Sequence, residues 1–169
     1  MRKLALLILT ALLNGCASGD GSNTSFSADD QMFAAMMIPH HEQAIEMADI
    51  ALGKSADPEI LALANEIKAA QGPEIEQMKS WGSSKTGSHA GHMMDEGMLS
   101  YDEMAQLKDA IGAEFDRLFL EGMIKHHQGA IQMADMIIDS VNEEAALLGK
   151  NIVDSQSAEI ERMRQLLSR

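Results

Sequence analysis

One stretch of this chain is written twice. Met36-Met-Ile-Pro-His-His-Glu-Gln-Ala-Ile-Glu-Met-Ala-Asp-Ile50 returns as Gly122-Met-Ile-Lys-His-His-Gln-Gly-Ala-Ile-Gln-Met-Ala-Asp-Met136, offset by 86 residues. Each copy sets a His-His pair between two methionines, one four residues before the second histidine and one seven residues after the first. A duplication of this kind restricts the fold to two related halves, and the spacing restricts each half to helix.

On a helix each residue turns by about 100°. Phe33, Met37, His40, Ala44, Met47, Ala48 and Ala51 then share one face, as do Phe119, Met123, His126, Ala130, Met133, Ala134 and Ile137. Each copy aims one imidazole and two thioethers inward. His41 and His127 fall at the edge of the face, where they can line it or look out.

The duplication extends beyond the histidines. Gln71, Glu74, Ile75 and Met78 recur as Gln156, Glu159, Ile160 and Met163 at an offset of 85. A first helix is predicted from Asp29 to Leu52, with Ser27 or Asp29 as its cap, Gly53 as its stop and a bend at Pro39. A second begins at Asp57-Pro58-Glu59, a cap followed by proline and an acid in the first turn, and ends near Trp81. Ser100-Tyr-Asp-Glu103 is a capping-box sequence opening a short helix to about Ala110. A third long helix is predicted from Ala113 to Ser140 and a fourth from Asn142 to Leu167. Short loops inside each half imply antiparallel neighbours, so the expected fold is all-α, a four-helix bundle over residues 29–167 built from two repeated hairpins. Folding each hairpin puts Gln71 level with His40, Glu74 with Met36 and Met37, Gln156 with His126, and Glu159 with Met123.

The start of the chain has another purpose. Arg2-Lys3 followed by the apolar run Leu4 to Leu13 is a signal-peptide pattern, and Leu13-Asn-Gly-Cys16 is a lipoprotein cleavage pattern. Residues 1–16 are the expected signal, with Cys16 lipidated, and the Ser/Gly/Asn-rich residues 17–28 a flexible tether. Alanine after Cys16 favours the outer membrane, facing the periplasm. Cys16 is the only cysteine, so in an oxidising compartment the sulfur left for a soft metal is thioether. Fourteen methionines supply it. The formal net charge of −13 becomes −15 once Arg2 and Lys3 are removed, which argues against nucleic acid and against anionic lipid headgroups as partners.

Bundles that hold paired iron or manganese ions use Glu-x-x-His motifs. Here Met37-x-x-His40 and Met123-x-x-His126 stand in their place, and thioether with imidazole suits Cu(I) where oxygen-rich sets suit harder ions. The expected metal ligands are Met36, Met37, His40, His41, Met47, Met123, His126, His127 and Met133, with Gln71, Glu74, Gln156 and Glu159 orienting them or forming a buried polar network. Copper is the expected cofactor, Cu(I) ahead of Cu(II) or Zn(II). Met78, Met104, Met136 and Met163 are read as core packing. A linker at residues 82–99 adds a second donor cluster, His89, His92, Met93, Met94 and Met98, able to wrap an ion without a preformed fold.

Both His-His copies and both Gln-x-x-Glu-Ile-x-x-Met stretches resemble the DUF305 family, over about Asp29 to Leu167. The resemblance implies a ferritin-like helical bundle in an exported bacterial protein, and copper binding in copper tolerance. The leading expectation is an envelope lipoprotein that buffers, sequesters or relays copper, handing it to other envelope copper-handling proteins, with no turnover. Two alternatives stand beside it: a redox-active metal bundle that oxidises Cu(I) or handles oxygen, and a metal-free interaction module with its histidines in a polar core.

Overall fold

Most of the helices start where a short polar side chain accepts a bond from the first unpaired backbone N–H groups. At the head of α1 (Ala28–Lys54), Ser27 N donates to Asp30 Oδ2 at 2.7 Å and Asp30 N donates to Ser27 Oγ at 3.1 Å, a reciprocal box. Asp57 caps α2 (Pro58–Ser80), with Pro58 in the first turn. Ser100 and Glu103 box the start of α3 (Tyr101–Asp109). α4 (Gly112–Ala134) has no side-chain cap, and Asn142 caps α5 (Glu143–Leu167). This computed structural model describes residues 25–82 and 96–169, which are all-helical, with five helices and no strand among the described residues.

The signal segment, Cys16, most of the tether and the linker donors His89, His92, Met93 and Met94 lie outside the described residues. Among the described residues no helix is long and apolar enough to cross a membrane.

The expected boundaries are corrected at two places. α1 passes Gly53 and ends at Lys54, with Pro39 inside it as expected. α4 ends at Ala134 rather than Ser140, because the amides of Met136, Ile137 and Ser140 donate to carbonyls three residues back, a tighter winding than the α-helix. That turn brings Ile137 onto α5 at Gly149, where an added Cβ would meet Ile137 Cγ1 at 2.9 Å.

The principal packing partners are α1 with α2, α4 with α5, and α1 with α4, while α3 lies against α4. Two apolar clusters share these helices. One takes Ala44, Met47, Ala48 and Ala51 of α1, Ile60 to Ile67 of α2, Phe115 to Met123 of α4, and Ile160 to Leu166 of α5. The other takes Phe33 to Met37, Met78 and Trp81, Ala130 to Ile137, and Ala145 to Ile152. Late α1 therefore lies beside early α2 and early α4, so both of those contacts are antiparallel, and α4 and α5 pair in the same sense. Between the clusters each of the four long helices contributes the polar side chains skipped by both: His40 and His41, Gln71, His126 and His127, and Gln156, all buried. The core is two hydrocarbon blocks separated by one polar layer.

Met78, Met104 and Met163 are buried in these blocks and Met136 packs partly against one, in keeping with a packing role. Ion pairs such as Arg162–Glu66 join α5 to α2 at the surface.

Candidate metal centre

All four histidines of the duplicated motif have no solvent exposure. The edge positions His41 and His127, left open by the helical spacing, turn inward because each meets a carboxylate from the neighbouring helix. His41 Nε2 lies 2.8 Å from Glu74 Oε2 and His127 Nε2 lies 2.7 Å from Glu159 Oε2. Glu74 and Glu159 thus bond to the second histidine of each pair. The His-His residues diverge by about 100° around the helix. The first of each pair points to the α1/α4 contact and the second toward its own partner helix.

The rings form a sequence across the core. His40 and His41 have centroids 6.4 Å apart, His40 and His126 3.7 Å, and His126 and His127 6.3 Å. The duplication is visible here as geometry: two like pairs, each anchored by a glutamate, meeting at the His40–His126 contact.

Hydrogen bonding fixes which nitrogen of a ring carries its proton. A carbonyl oxygen only accepts, so His40 Nε2–H donates to the Glu96 carbonyl at 3.0 Å, and in the neutral ring Nδ1 is a bare lone pair. The carboxylates of Glu74 and Glu159 select the same tautomer in neutral His41 and His127. The Nδ1 atoms of His40, His41, His126 and His127 are all buried with no hydrogen-bond partner, as are His126 Nε2, both amide atoms of Gln71 and Gln156 Oε1. Buried polar atoms are normally satisfied, because leaving one unpaired costs about 1–3 kcal/mol. Eight such atoms gather in this one layer, where a metal ion or a buried water molecule would satisfy them.

The layer also keeps the two central imidazoles, His40 and His126, neutral. Burial, and then the neighbouring His41, hold His40 down at about 3. Burial holds His126 well below the usual histidine range, with His40 adding to the effect. Neutral rings keep the lone pairs that a metal needs.

The methionines fall on both sides of this layer. Met36, Met37 and Met133 belong to one apolar cluster, Met47 and Met123 to the other. Met98 is half-buried and, with Leu99, Tyr101, Met104 and Lys108, lines a groove of about 600 Å³ to which none of the four buried histidines contributes. Among the described residues no three His, Asp, Glu or Cys side chains group tightly enough to hold a metal by themselves.

Sequence reasoning passed over Gln43, Glu96 and Gly129. Gln43 Oε1 accepts from Leu99 N at 2.7 Å and Gln43 Nε2 donates to Leu99 O at 2.9 Å, tying the chain before α3 to α1. The signal was available in the comparison of the two copies, where Gln43 and Gly129 occupy equivalent positions and differ.

The family model for DUF305, a domain of unknown function, matches residues 30–167. Among solved structures, a DUF305 fragment from Deinococcus radiodurans is 31% identical with a TM-score of 0.75, covering 86% of this chain and 99% of that one. A DUF305 protein from Streptomyces coelicolor, assigned as secreted, is 30% identical with a TM-score of 0.76 and coverage of 84% and 93%. CopM in its Cu(I)-bound form is 34% identical, with a TM-score of 0.67 and coverage of 82% and 95%. CopM has also been solved with Ag, with Cu(II) and in an apo form. No curated protein matches the chain.

Proposed function

The chain belongs to the DUF305 family, and from that premise we propose that it binds copper as Cu(I) in the buried histidine layer, one ion to each His-His pair. The observation that carries this reading is the set of four unpartnered Nδ1 atoms on rings whose other nitrogens are, in three cases, already engaged.

The ring separations support an ion shared within each pair rather than across the pairs. With metal–nitrogen bonds of about 2.0–2.1 Å, two imidazoles on one ion have centres roughly 6 Å apart when opposed and roughly 5 Å apart at a tetrahedral angle. The 6.4 Å and 6.3 Å separations within the pairs match the opposed arrangement. The 3.7 Å between His40 and His126 is shorter than either and suits ring contact instead. A near-linear pair of neutral nitrogens suits a monovalent d¹⁰ ion, whereas zinc wants four ligands around a tetrahedron. Thioethers of Met37, Met133, Met47 and Met123 in the adjoining blocks give a soft surround and exclude water. CopM, matched over most of both chains, was solved with Cu(I) and with Ag, the same class of ion.

The wider reading is a ferritin-like four-helix bundle made of two repeated hairpins. It is carried on a lipid at Cys16 in the outer membrane facing the periplasm, where it buffers or relays copper to envelope partners. The S. coelicolor protein assigned as secreted supports an extracytoplasmic place. Binding is stoichiometric and the ion leaves as it arrived.

The test is anaerobic thermal unfolding with Cu(I) or Ag(I), since an ion bound only by the native state raises its stability. The wild-type protein is expected to gain stability with either ion and a variant with all four histidines replaced by alanine to gain none. Equal shifts in the two proteins, or no shift in the first, would remove the histidine layer as the site.

A further inference from the structure

The two pairs are not held alike. His41 and His127 each have a glutamate, and His40 has the Glu96 carbonyl, but neither buried nitrogen of His126 makes a hydrogen bond of good geometry, its ring only approaching the His40 backbone. The difference comes from residues 96–99, which pass over the α1/α4 contact between the two copies.

This strap explains substitutions within the repeat. At the position where α1 has Gln43, which grips Leu99 by both backbone groups, α4 has Gly129, where an added Cβ would stand 2.2 Å from Glu96 O and 2.8 Å from Gly97 Cα. Where α1 has Met36, α4 has Gly122, and there a Cβ would meet Leu99 Cδ2 at 3.1 Å. Gly97 itself has φ +75°, and its own Cβ would lie 2.6 Å from Lys125 O, so glycine is required on both counts. One copy has a hook and the other a gap, and between them they fix where the Glu96 carbonyl points.

We propose that the Glu96–Leu99 strap is a positioning element that locks His40 in its Nε2–H form, so that the His40/His41 pair fills with a soft monovalent ion before the His126/His127 pair. This rests on the proposed binding of such an ion by the pairs. Locking one ring in the tautomer the metal uses removes a reorganisation step that the other pair must make on binding. Second-sphere partners of this kind are typically worth about 10–100-fold in metal affinity.

Two variants test it. Gly129→Ala pushes the strap off α4, and Gln43→Leu cuts both bonds to Leu99 without adding bulk to α4. In the metal-free protein, two-bond proton–nitrogen correlation spectra should show His40 wholly as Nε2–H, with a mixture in each variant. An unchanged His40 pattern in a folded Gln43→Leu protein overturns the strap's role, whatever the outcome of metal titration. With Ag(I) as probe, the wild type should perturb His40 and His41 signals at the first equivalent and His126 and His127 at the second. Gln43→Leu should weaken the first step by about tenfold and merge the two. Simultaneous filling in the wild type also overturns the proposal. Absence of any Ag(I) binding refutes the copper reading itself, and with it the filling order, while the tautomer spectra still decide whether the strap sets the ring.

Discussion

The two copies of the histidine motif share their chemistry and differ in their supports. In the first, a glutamate and a backbone carbonyl hold the rings. In the second, a glutamate alone does so. What the copies keep in common, two imidazoles and a carboxylate from the facing helix, is what the proposed site would need. Where they differ, at Met36 against Gly122 and Gln43 against Gly129, the cause is a crossing segment that meets each copy from a different side. A duplicated sequence therefore separates chemistry from scaffolding without any other sequence to compare.

The comparison can be pressed first at the methionines. Met37 and Met123 are equivalent in the repeat and both lack solvent exposure. Alanine at either should cost about 2–5 kcal/mol in chemical unfolding, and by similar amounts in the two halves. Leucine at the same positions keeps the volume and should cost under about 1.5 kcal/mol. A fall in Cu(I) affinity in the leucine variants, with stability intact, would raise the thioethers from packing to ligands.

Acid is the next lever. A buried histidine whose folded pKa lies below its unfolded value near 6.5 is neutral in both states at higher pH. Below that value the unfolded chain takes up the proton first. Stability of the metal-free protein is thus full above about pH 6.5 and lost as pH falls toward about 3 for His40, by about 1.4 kcal/mol per unit in that window. His126 adds a loss of the same sign. Urea unfolding from pH 7 to 5 measures the slope, and His40→Ala should flatten it.

Glu74→Gln and Glu159→Gln probe the feature the copies share. Each should weaken its own pair by about 10–100-fold in metal affinity and leave the other unchanged. A loss at both pairs from one substitution would mean that the row behaves as a single site. The smallest effect is expected at the surface: Arg162→Ala removes the exposed pairing to Glu66 and should change stability by at most about 1 kcal/mol.

Much of this was legible in the sequence. The inward stripes through Phe33, Met37 and His40 and through Phe119, Met123 and His126 are fully buried, and Ser27, Asp57, Ser100 and Asn142 stand at the helix starts. These follow from periodicity and from local capping chemistry. The end of α4 was not legible, because its tightened turn answers to Gly149 on another helix. Nor was the direction of His41, which depends on a carboxylate 33 residues away, or the strap, whose bonds to His40 and Gln43 span 56 residues. Spacing along one helix reports its face, and only the meeting of helices reports the distance between rings.

The central claim is that each consecutive histidine pair holds its own ion. Anaerobic titration with Cu(I) against a competing chelator should return two equivalents for the wild-type protein, one for His40→Ala/His41→Ala and one for His126→Ala/His127→Ala. A single equivalent in the wild type, abolished by either double substitution, would contradict it and assign one ion to the rings of both copies together.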